Sequence, residues 1–289
     1  MLKRRAGNEL WLISQPDHAA ASGYLAAHWG NSDFARPGYY GPAPDPERLR
    51  AETVLAIAEH DNGWWEWEAD PELDPDDGLP LGLLDLSQPQ GMERWHLGVP
   101  RFVEDHPYVS LLISLHAYWL FAPRCEPHPD AAFFHPLFGD PASVPALEGV
   151  ELERARQFVA EQREIQERLT AWLREDPAWS AAVRPEHLDP NVRLLQLADA
   201  LSLALCFGGD TALRLEGIPR RSWEDRVALE LTPGGNGRVV CQPYPFDADP
   251  LPVAVRTRVL SLPVERPVHF QSWWQSLPRQ WVRFEYCSR

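Results

Sequence analysis

Two polar residues inside the most apolar segments of the chain constrain its fold more than any other feature. Asp199 lies within the leucine-rich residues 194–205, and His116 lies within the apolar residues 109–122. A carboxylate in a helix of that composition is buried whichever way the helix faces, and burying it without a partner is strongly destabilising. The fold must therefore supply Asp199 with a cation, with a cluster of hydrogen-bond donors, or with a proton.

Length and charge exclude several classes of protein. The 289 residues are 44% hydrophobic, which allows one large or two small domains and excludes a disordered chain. The apolar run at residues 109–122 is 14 residues long, whereas a membrane span needs about 18–20. A net charge of −15 disfavours nucleic acid and anionic membranes as partners. We expect a small-molecule substrate, and the sequence leaves the oligomeric state open.

The cysteines and the first residues indicate a location. The four cysteines are scattered and form no Cys-x-x-Cys pair: Cys125, Cys206, Cys241 and Cys287. The basic residues 3–5 are followed by Ala-Gly-Asn-Glu, where an export signal would have a long apolar stretch. We therefore expect a cytoplasmic protein with reduced thiols.

Helical signals dominate residues 14–207. Ser14 before Pro16 predicts a helix that runs to about Trp29, and Asp45 before Pro46 predicts a second one that ends near Gly63. Further helices are predicted at residues 91–104, 107–122, 148–175 and 191–207. Pro-rich loops separate them at residues 31–45, 68–90 and 123–147.

Strand signals lie at the two ends of the chain. Residues 2–14 resemble a hairpin, residues 227–242 a second hairpin about the turn 233–237, and residues 253–260 and 281–286 two further strands. We therefore predict a mainly α fold in one domain, residues 1–289. It has a helical metal-binding core at about 15–210, a β-rich extension at about 220–289, and a small antiparallel β element from both chain ends.

Further histidines occupy core-facing positions on the predicted helices. His60 shares a helix face with Leu49, Thr53 and Ala56, and Asp61 follows it directly. His18 shares a face with Ser22. Any one of these histidines is explained by a hydrogen bond to a backbone carbonyl. Together with Asp199 and His116 they indicate a metal site, because imidazole and carboxylate suit Mn, Fe, Zn or Ni.

The order of these residues resembles the HD-domain superfamily of metal-dependent phosphohydrolases, which are helical proteins named for a His-Asp pair. His18, then His60-Asp61-Asn-Gly63, then a distant Asp199 match its pattern. An uncharacterised bacterial HD-like family is more similar still, over about residues 9–246. Its matching segments are Gln15-Pro-Asp-His18, Ala27-His-Trp-Gly30, His60-Asp-Asn-Gly-Trp64, Trp95-His-Leu-Gly98, Leu111-Leu-Ile-Ser-Leu-His116, Asp199-Ala-Leu-Ser-Leu203 and Pro243-Tyr-Pro-Phe246.

The resemblance implies the ligand set. Mononuclear members hold one ion with the equivalents of His18, His60, Asp61 and Asp199. Dinuclear members insert two more histidines before the last aspartate. His116 fills one of these places, and His96 or His106 fills the other. We favour His96, because Trp95-His-Leu-Gly98 suits a helix whereas His106 directly precedes Pro107. The predicted site therefore has six ligands, with Asp61 bridging two metals, and iron or manganese is favoured over nickel, zinc or magnesium.

The same resemblance implies the reaction. We expect a hydrolase in which metal-bound water attacks a small phosphoester. A mixed-valent diiron oxygenase that acts on a small organic molecule with O₂ uses a similar ligand set, and a degenerate HD protein with a regulatory role is a third possibility. Many members place a lysine after His-Asp-x-Gly, where this chain has Trp64. Phosphate binding would then fall to one of five arginines that flank the motifs: Arg36, Arg50, Arg94, Arg101 and Arg124.

Several further residues are candidates for roles at the site. Trp64, Trp67 and Tyr39 are candidate walls of a substrate pocket, with ordinary packing as the favoured alternative. Asp61 and Glu66 are the candidate catalytic residues, although a solvated position would also suit Glu66. The remaining histidines have no partner signal and are predicted to lie on the surface or in loops: His28, His128, His135, His187 and His269.

Overall fold

The computed structural model describes residues 1–125, 133–138, 146–264 and 269–289. These parts of the chain contain eight α-helices and seven strands. The helices are α1 (Gln15–Ala27), α2 (Pro46–Ala58), α3 (Trp65–Ala69), α4 (Gln88–Gly98), α5 (Pro107–Cys125), α6 (Gly149–Glu175), α7 (Pro185–Phe207) and α8 (Phe270–Ser276). The strands are β1 (Leu2–Ala6), β2 (Glu9–Ile13), β3 (Leu213–Pro219), β4 (Arg226–Gly235), β5 (Arg238–Gln242), β6 (Leu251–Ser261) and β7 (Arg279–Cys287). Within these ranges, no helix combines the length and the apolar character needed to cross a membrane.

Both predicted helix starts are confirmed at the level of single hydrogen bonds. The side chain of Ser14 accepts a hydrogen bond from the backbone N–H of Asp17 at 3.1 Å and caps α1. Asp45 caps α2 by accepting from the N–H of Arg48 at 2.9 Å. Proline follows in the first turn of each helix, where its missing N–H has no intrahelical partner to lose. Helix α2 ends at Ala58, before the predicted end near Gly63.

The sheet overturns the predicted fold class. All seven strands join one sheet in the order β1-β2-β6-β7-β5-β4-β3, and the β5–β7 pair is parallel while every other pair is antiparallel. The molecule is 49% helical and the sheet forms a half-barrel, so the fold is α/β. The prediction of a mainly α fold with a small antiparallel β element is therefore wrong. Strand β6 joins the N-terminal hairpin to the rest of the sheet, because its residues 258–261 pair with β2 and its residues 251–258 pair with β7.

Helix α7 lies between the sheet and the other helices, which explains why Asp199 is buried. The Tyr286 hydroxyl on β7 donates a hydrogen bond to the carbonyl of Leu201 at 2.9 Å. The Arg4 guanidinium on β1 donates to the carbonyls of Leu205 and Gly208, each at 3.3 Å, and so caps the end of α7. On its other side α7 packs against α1, α2 and α5.

A close backbone contact positions the turn that follows α2. A Cβ atom added at Gly63 would lie 1.9 Å from the carbonyl oxygen of Arg94, and the N–H of Gly98 is also near. Only glycine allows the turn at residues 61–64 to approach α4 this closely. The turn carries Asp61 and follows His60, so this contact fixes the pair relative to α4 and its neighbours.

Candidate metal centre

Four separate parts of the fold bring buried imidazole and carboxylate groups to one place. Helix α1 supplies His18, the turn after α2 supplies His60 and Asp61, α5 supplies His116 and α7 supplies Asp199. Ligand atoms of His18, His60 and Asp199 all lie within 4.8 Å of one another. The rings of His18 and His60 are 5.1 Å apart, and those of His60 and His116 are 5.2 Å apart.

The Nε2 atom of His60 faces two carboxylates. Its Nδ1 lies 2.8 Å from the carbonyl oxygen of Ile57, which can only accept, so Nδ1 carries the hydrogen and donates it. Nε2 is buried without a hydrogen-bond partner and faces Asp199 Oδ1 at 3.5 Å and Asp61 Oδ2 at 3.7 Å. Burial lowers the pKa of His60, but the two carboxylates together raise it by more, so that the pKa of His60 is about 9. The place beside Nε2 therefore favours a cation.

His18 also directs Nε2 at a carboxylate, but its Nδ1 contacts a hydroxyl instead of a backbone carbonyl. Its Nε2 lies 2.9 Å from Asp61 Oδ2, and its Nδ1 lies 2.8 Å from the hydroxyl of Ser202. That hydroxyl donates to the backbone carbonyl of Asp199 at 2.9 Å, so its oxygen is available to accept from Nδ1. Outer hydrogen bonds of this kind fix the tautomer and direct the other ring nitrogen to a metal.

Asp199 is a carboxylate surrounded by imidazoles. Its Oδ2 lies 3.0 Å from Nε2 of His135 and 3.4 Å from Nε2 of His116, and its Oδ1 has no hydrogen-bond partner. Burial raises the pKa of Asp199, but the neighbouring histidines together lower it by more. The pKa of Asp199 therefore lies well below its usual value. Burial lowers the pKa of His116 to about 4, and His116 is therefore neutral, the form that binds metals.

His135 belongs to the cluster. It lies in an irregular segment, in line with the predicted loop, but the prediction that it has no partner is wrong. It is buried, and the backbone N–H of Leu137 donates to its Nδ1 at 3.4 Å. Nε2 of the neutral ring therefore carries the hydrogen and donates it to Oδ2 of Asp199 at 3.0 Å. Helix α7 holds this segment, since Arg193 donates to the carbonyl of Phe134 and Gln196 to that of Phe133. The sequence signal was weak because residues 123–147 are Pro-rich and have no helical period.

His96 lies apart from the cluster, so the structure contradicts its prediction as a metal ligand. Its side chain is 50% exposed, and Nε2 lies 2.9 Å from Oε2 of Glu161 on α6. Trp95, one residue earlier, packs against the ring of His116, and successive helical residues point about 100° apart. The alternative, His106, is also elsewhere, because its Nδ1 lies 2.7 Å from Oε1 of Glu52.

Three of the other candidates lie outside the cluster. Glu66 is 61% exposed and Arg101 binds both of its oxygens, which lowers the pKa of Glu66 and removes it from the predicted catalytic role. Tyr39 is exposed and donates to Glu47, so it forms no wall of the site. Trp67 packs edge-to-face against Trp64 in a small apolar cluster. Trp64 also lines the cavity described below, whereas Trp67 does not.

The other histidines predicted to lie on the surface have mixed outcomes. His187 is fully buried, against the prediction, and its Nε2 lies 3.2 Å from the carbonyl of Pro42. His28 is partly exposed and paired with Asp247, and His269 is exposed. His128 lies outside the described residues.

A cavity of about 450 Å³ opens onto the cluster. His18, Asp61, His116, His135 and Asp199 all reach its wall. Most of the remaining wall is apolar, including Trp64, Trp95 and Phe121, and Arg124 also lines it. A larger cavity of about 660 Å³ lies between α1 and strands β6 and β7, but the described residues place no cluster of metal-ligating groups there.

The donor set fits divalent metal ions. It consists of four imidazoles and two carboxylates in the chain order His18, His60-Asp61, His116, His135, Asp199. Every member has a nitrogen or oxygen atom within 2.9–3.7 Å of such an atom of another member. Two of these atoms, Nε2 of His60 and Oδ1 of Asp199, have no hydrogen-bond partner. Imidazole with carboxylate is a donor mixture that manganese and iron accept.

One protein family matches the chain over most of its length. The family carries the description "Protein of unknown function (DUF3891)", and the match spans residues 1–262. The chain belongs to the DUF3891 family. The DUF3891 match includes every residue of the cluster, but its description states no activity, and the likeness to the HD-domain superfamily remains a prediction. No curated protein and no solved structure matches the chain.

Proposed function

We propose that this chain is a metal-dependent hydrolase of the HD-domain type that acts on a small phosphoester. His18, His60, Asp61 and Asp199 would hold one ion, and His116 and His135 would complete a second position. His135 thereby takes the place first predicted for His96. The order of the six residues supports the dinuclear form, since two histidines still stand between His60-Asp61 and Asp199.

The observation that carries the proposal is the unpartnered nitrogen of His60. A buried imidazole whose Nδ1 hydrogen is committed to a backbone carbonyl normally places its Nε2 beside a donor. Here Nε2 faces two carboxylate oxygens at 3.5 and 3.7 Å. Either a proton or a metal ion reconciles these groups, and the neutral state of His116 supports the metal.

Each group has a role in the proposed reaction. A bound divalent ion supplies Lewis acidity and a water of lowered pKa near neutral pH. Asp61 lies nearest His18 and is suited to contact both ion positions. Arg124, which lines the cavity, would bind the anionic group of the substrate. The apolar walls exclude bulk water, which strengthens the electrostatic interactions within.

Metal analysis combined with an oxygen test decides the proposal. We expect about two Mn or Fe per chain, and hydrolysis of p-nitrophenyl phosphate that persists without O₂. Two irons together with a reaction that requires O₂ would instead assign the diiron oxygenase. Protein that binds no metal after reconstitution would refute both. A cytoplasmic location is part of the proposal and rests on the scattered cysteines.

A further inference from the structure

We propose that the substrate is an amphiphilic phosphomonoester, one phosphate group on an apolar alkyl chain, rather than a nucleotide. This inference rests on the proposed hydrolase function. It concerns the part of the cavity beyond the metal ligands, where three observations agree: the composition of the wall, the exposed side chains at the mouth and the number of cations.

The wall of the cavity is apolar where a substrate would extend from the cluster. Trp64, Leu86 and Trp95 form part of it, and Phe121 and Leu203 form more. A cavity of about 450 Å³ lies within the range of pockets that enclose small molecules. Beyond the cluster, the polar side chains of this wall are those of Gln15, Ser87, Gln88 and Arg124, and the remainder of the wall favours hydrocarbon.

The mouth of the same cavity carries exposed apolar side chains. Leu84 is 85% exposed, Phe207 is 46% exposed and Leu137 is 36% exposed. They come from three separate segments: the turn Leu83–Asp85, the end of α7 and the turn Pro136–Phe138. Exposed apolar residues that gather around one opening mark a binding surface for an apolar partner.

The cationic groups suit a single phosphate. Arg124 is the one arginine or lysine among the described residues of the wall, and no carboxylate of the described chain pairs with it. Arg94 and Arg101 are committed elsewhere, to stacking on Trp67 and to Glu66. Besides the proposed metal ions, the wall offers one cationic side chain, which matches the single phosphate of a monoester better than the three of a triphosphate.

The reaction is balanced without a further reactant. The oxygen of water forms a bond to phosphorus, and the ester P–O bond breaks. One proton of the water passes to the leaving alkoxide and the other stays on the phosphate. The products are an alcohol and inorganic phosphate, so no oxidant or reductant is required.

Calorimetric titration with alkylphosphonates, which are not hydrolysed, tests the inference through binding. Ethyl-, butyl-, hexyl- and octylphosphonate are titrated into manganese-loaded protein below their micelle concentrations. We expect the dissociation constant to fall about fourfold per added methylene while the chain still enters the cavity. Adenosine monophosphate and triphosphate should bind more weakly than octylphosphonate.

Three variants separate the chain from the headgroup. Leu84→Asp should reduce the dependence on chain length, and Leu84 is so exposed that the fold does not depend on it. Val150→Asp, at an exposed position on α6 outside this cavity, is the matched control and should leave the dependence unchanged. Arg124→Gln should weaken every phosphonate by about the same factor, roughly tenfold, without changing the dependence on length.

The outcomes distinguish this inference from the proposed function. Equal affinity at all chain lengths, no phosphonate binding by metal-loaded protein, or tighter binding of the nucleotides would overturn the inference. The hydrolase would survive those results if p-nitrophenyl phosphate is still hydrolysed. Conversely, binding that depends on chain length, without hydrolysis of either octyl phosphate or p-nitrophenyl phosphate, would refute the hydrolase and retain the apolar pocket.

Discussion

The proton on His60 competes with a metal ion for the same lone pair. Burial lowers its pKa, but Asp61 and Asp199 raise it more, to about 9 in the metal-free protein. Below pH 9 a proton must therefore leave Nε2 before a metal binds there. We expect the apparent affinity for Mn²⁺ to fall about tenfold per pH unit below 9 and to be constant above it. Competition with a chelator from pH 6.5 to 9.5 measures this, and a constant affinity throughout would contradict Nε2 as a ligand.

Replacing single ligands should separate the two ion positions. His60→Ala and Asp199→Asn should each weaken metal binding by more than about 100-fold, because even changes outside the ligand shell weaken it 10–100-fold. His135→Ala should remove one of two ions. His96→Ala is the matched control and should keep both, since His96 pairs with Glu161 instead. Elemental analysis after gel filtration gives the count, and full occupancy in the first two variants would refute the site.

Gly63 is a test of how tightly the His60–Asp61 turn is positioned. Alanine there would place Cβ 1.9 Å from a backbone oxygen of α4, so Gly63→Ala should lower the free energy of unfolding by about 2–3 kcal/mol. Gly91→Ala on α4 meets no atom within 4 Å and should gain up to about 1 kcal/mol from helix propensity. Urea denaturation compares the two variants, and equal effects would show that the contact is not restrictive.

At the scale of elements, α7 holds the segment that carries His135. Gln196 donates to the carbonyl of Phe133, two residues before His135, and is not itself one of the six residues of the cluster. Gln196→Ala should weaken the second ion about tenfold and leave the first unchanged, because His135 loses part of its support. A two-site metal titration measures both constants. Gln157→Ala, on the exposed face of α6, is the control and should leave both constants unchanged. If Gln196→Ala weakened both ions equally, Gln196 would support α7 as a whole and not the segment around His135.

Local signals predicted elements well and their assembly poorly. The starts of α1 and α2 followed from caps that act within three residues, and both hairpins followed from alternation and turn chemistry. Strand β3 was missed because Gly217, at a φ of +70°, interrupts its alternation beside a bulge. The parallel pairing of β5 with β7 joins distant segments, and no local pattern encodes it.

The same limit explains the outcome at the site. Five members of the cluster could be predicted from the sequence: His18, His60, Asp61, His116 and Asp199. Buried polar side chains need polar partners, and in an apolar core those partners are one another. His135 could not be predicted, because it lies in an irregular segment where spacing carries no direction. His96 misled because its neighbour Trp95, not His96 itself, faces His116. Burial distinguishes these residues, and burial is a property of the assembled fold.

At the scale of the whole molecule, metal binding should stabilise the fold as a unit. The ligands come from α1, the turn after α2, α5, the segment around His135 and α7, so unfolding any of these parts releases the ions. Free metal at 100 times the dissociation constant adds about 2.7 kcal/mol for one site. We expect Tm to rise by about 5–10 °C over chelator-treated protein. Scanning calorimetry across metal concentrations measures the shift, and an unchanged Tm would contradict a shared site.

The long-range closure of the sheet has a consequence for synthesis on the ribosome. Thr257 on β6 donates to the carbonyl of Leu12 on β2, across 245 residues of chain. At roughly 5–20 residues per second, the first hairpin waits about 12–50 s for its partner strand to be translated. A two-stranded hairpin is marginally stable alone, and its open edge can pair with other chains. Neighbouring ribosomes on one messenger hold nascent chains at the same stage, so early protection of β2 decides whether each chain pairs with itself.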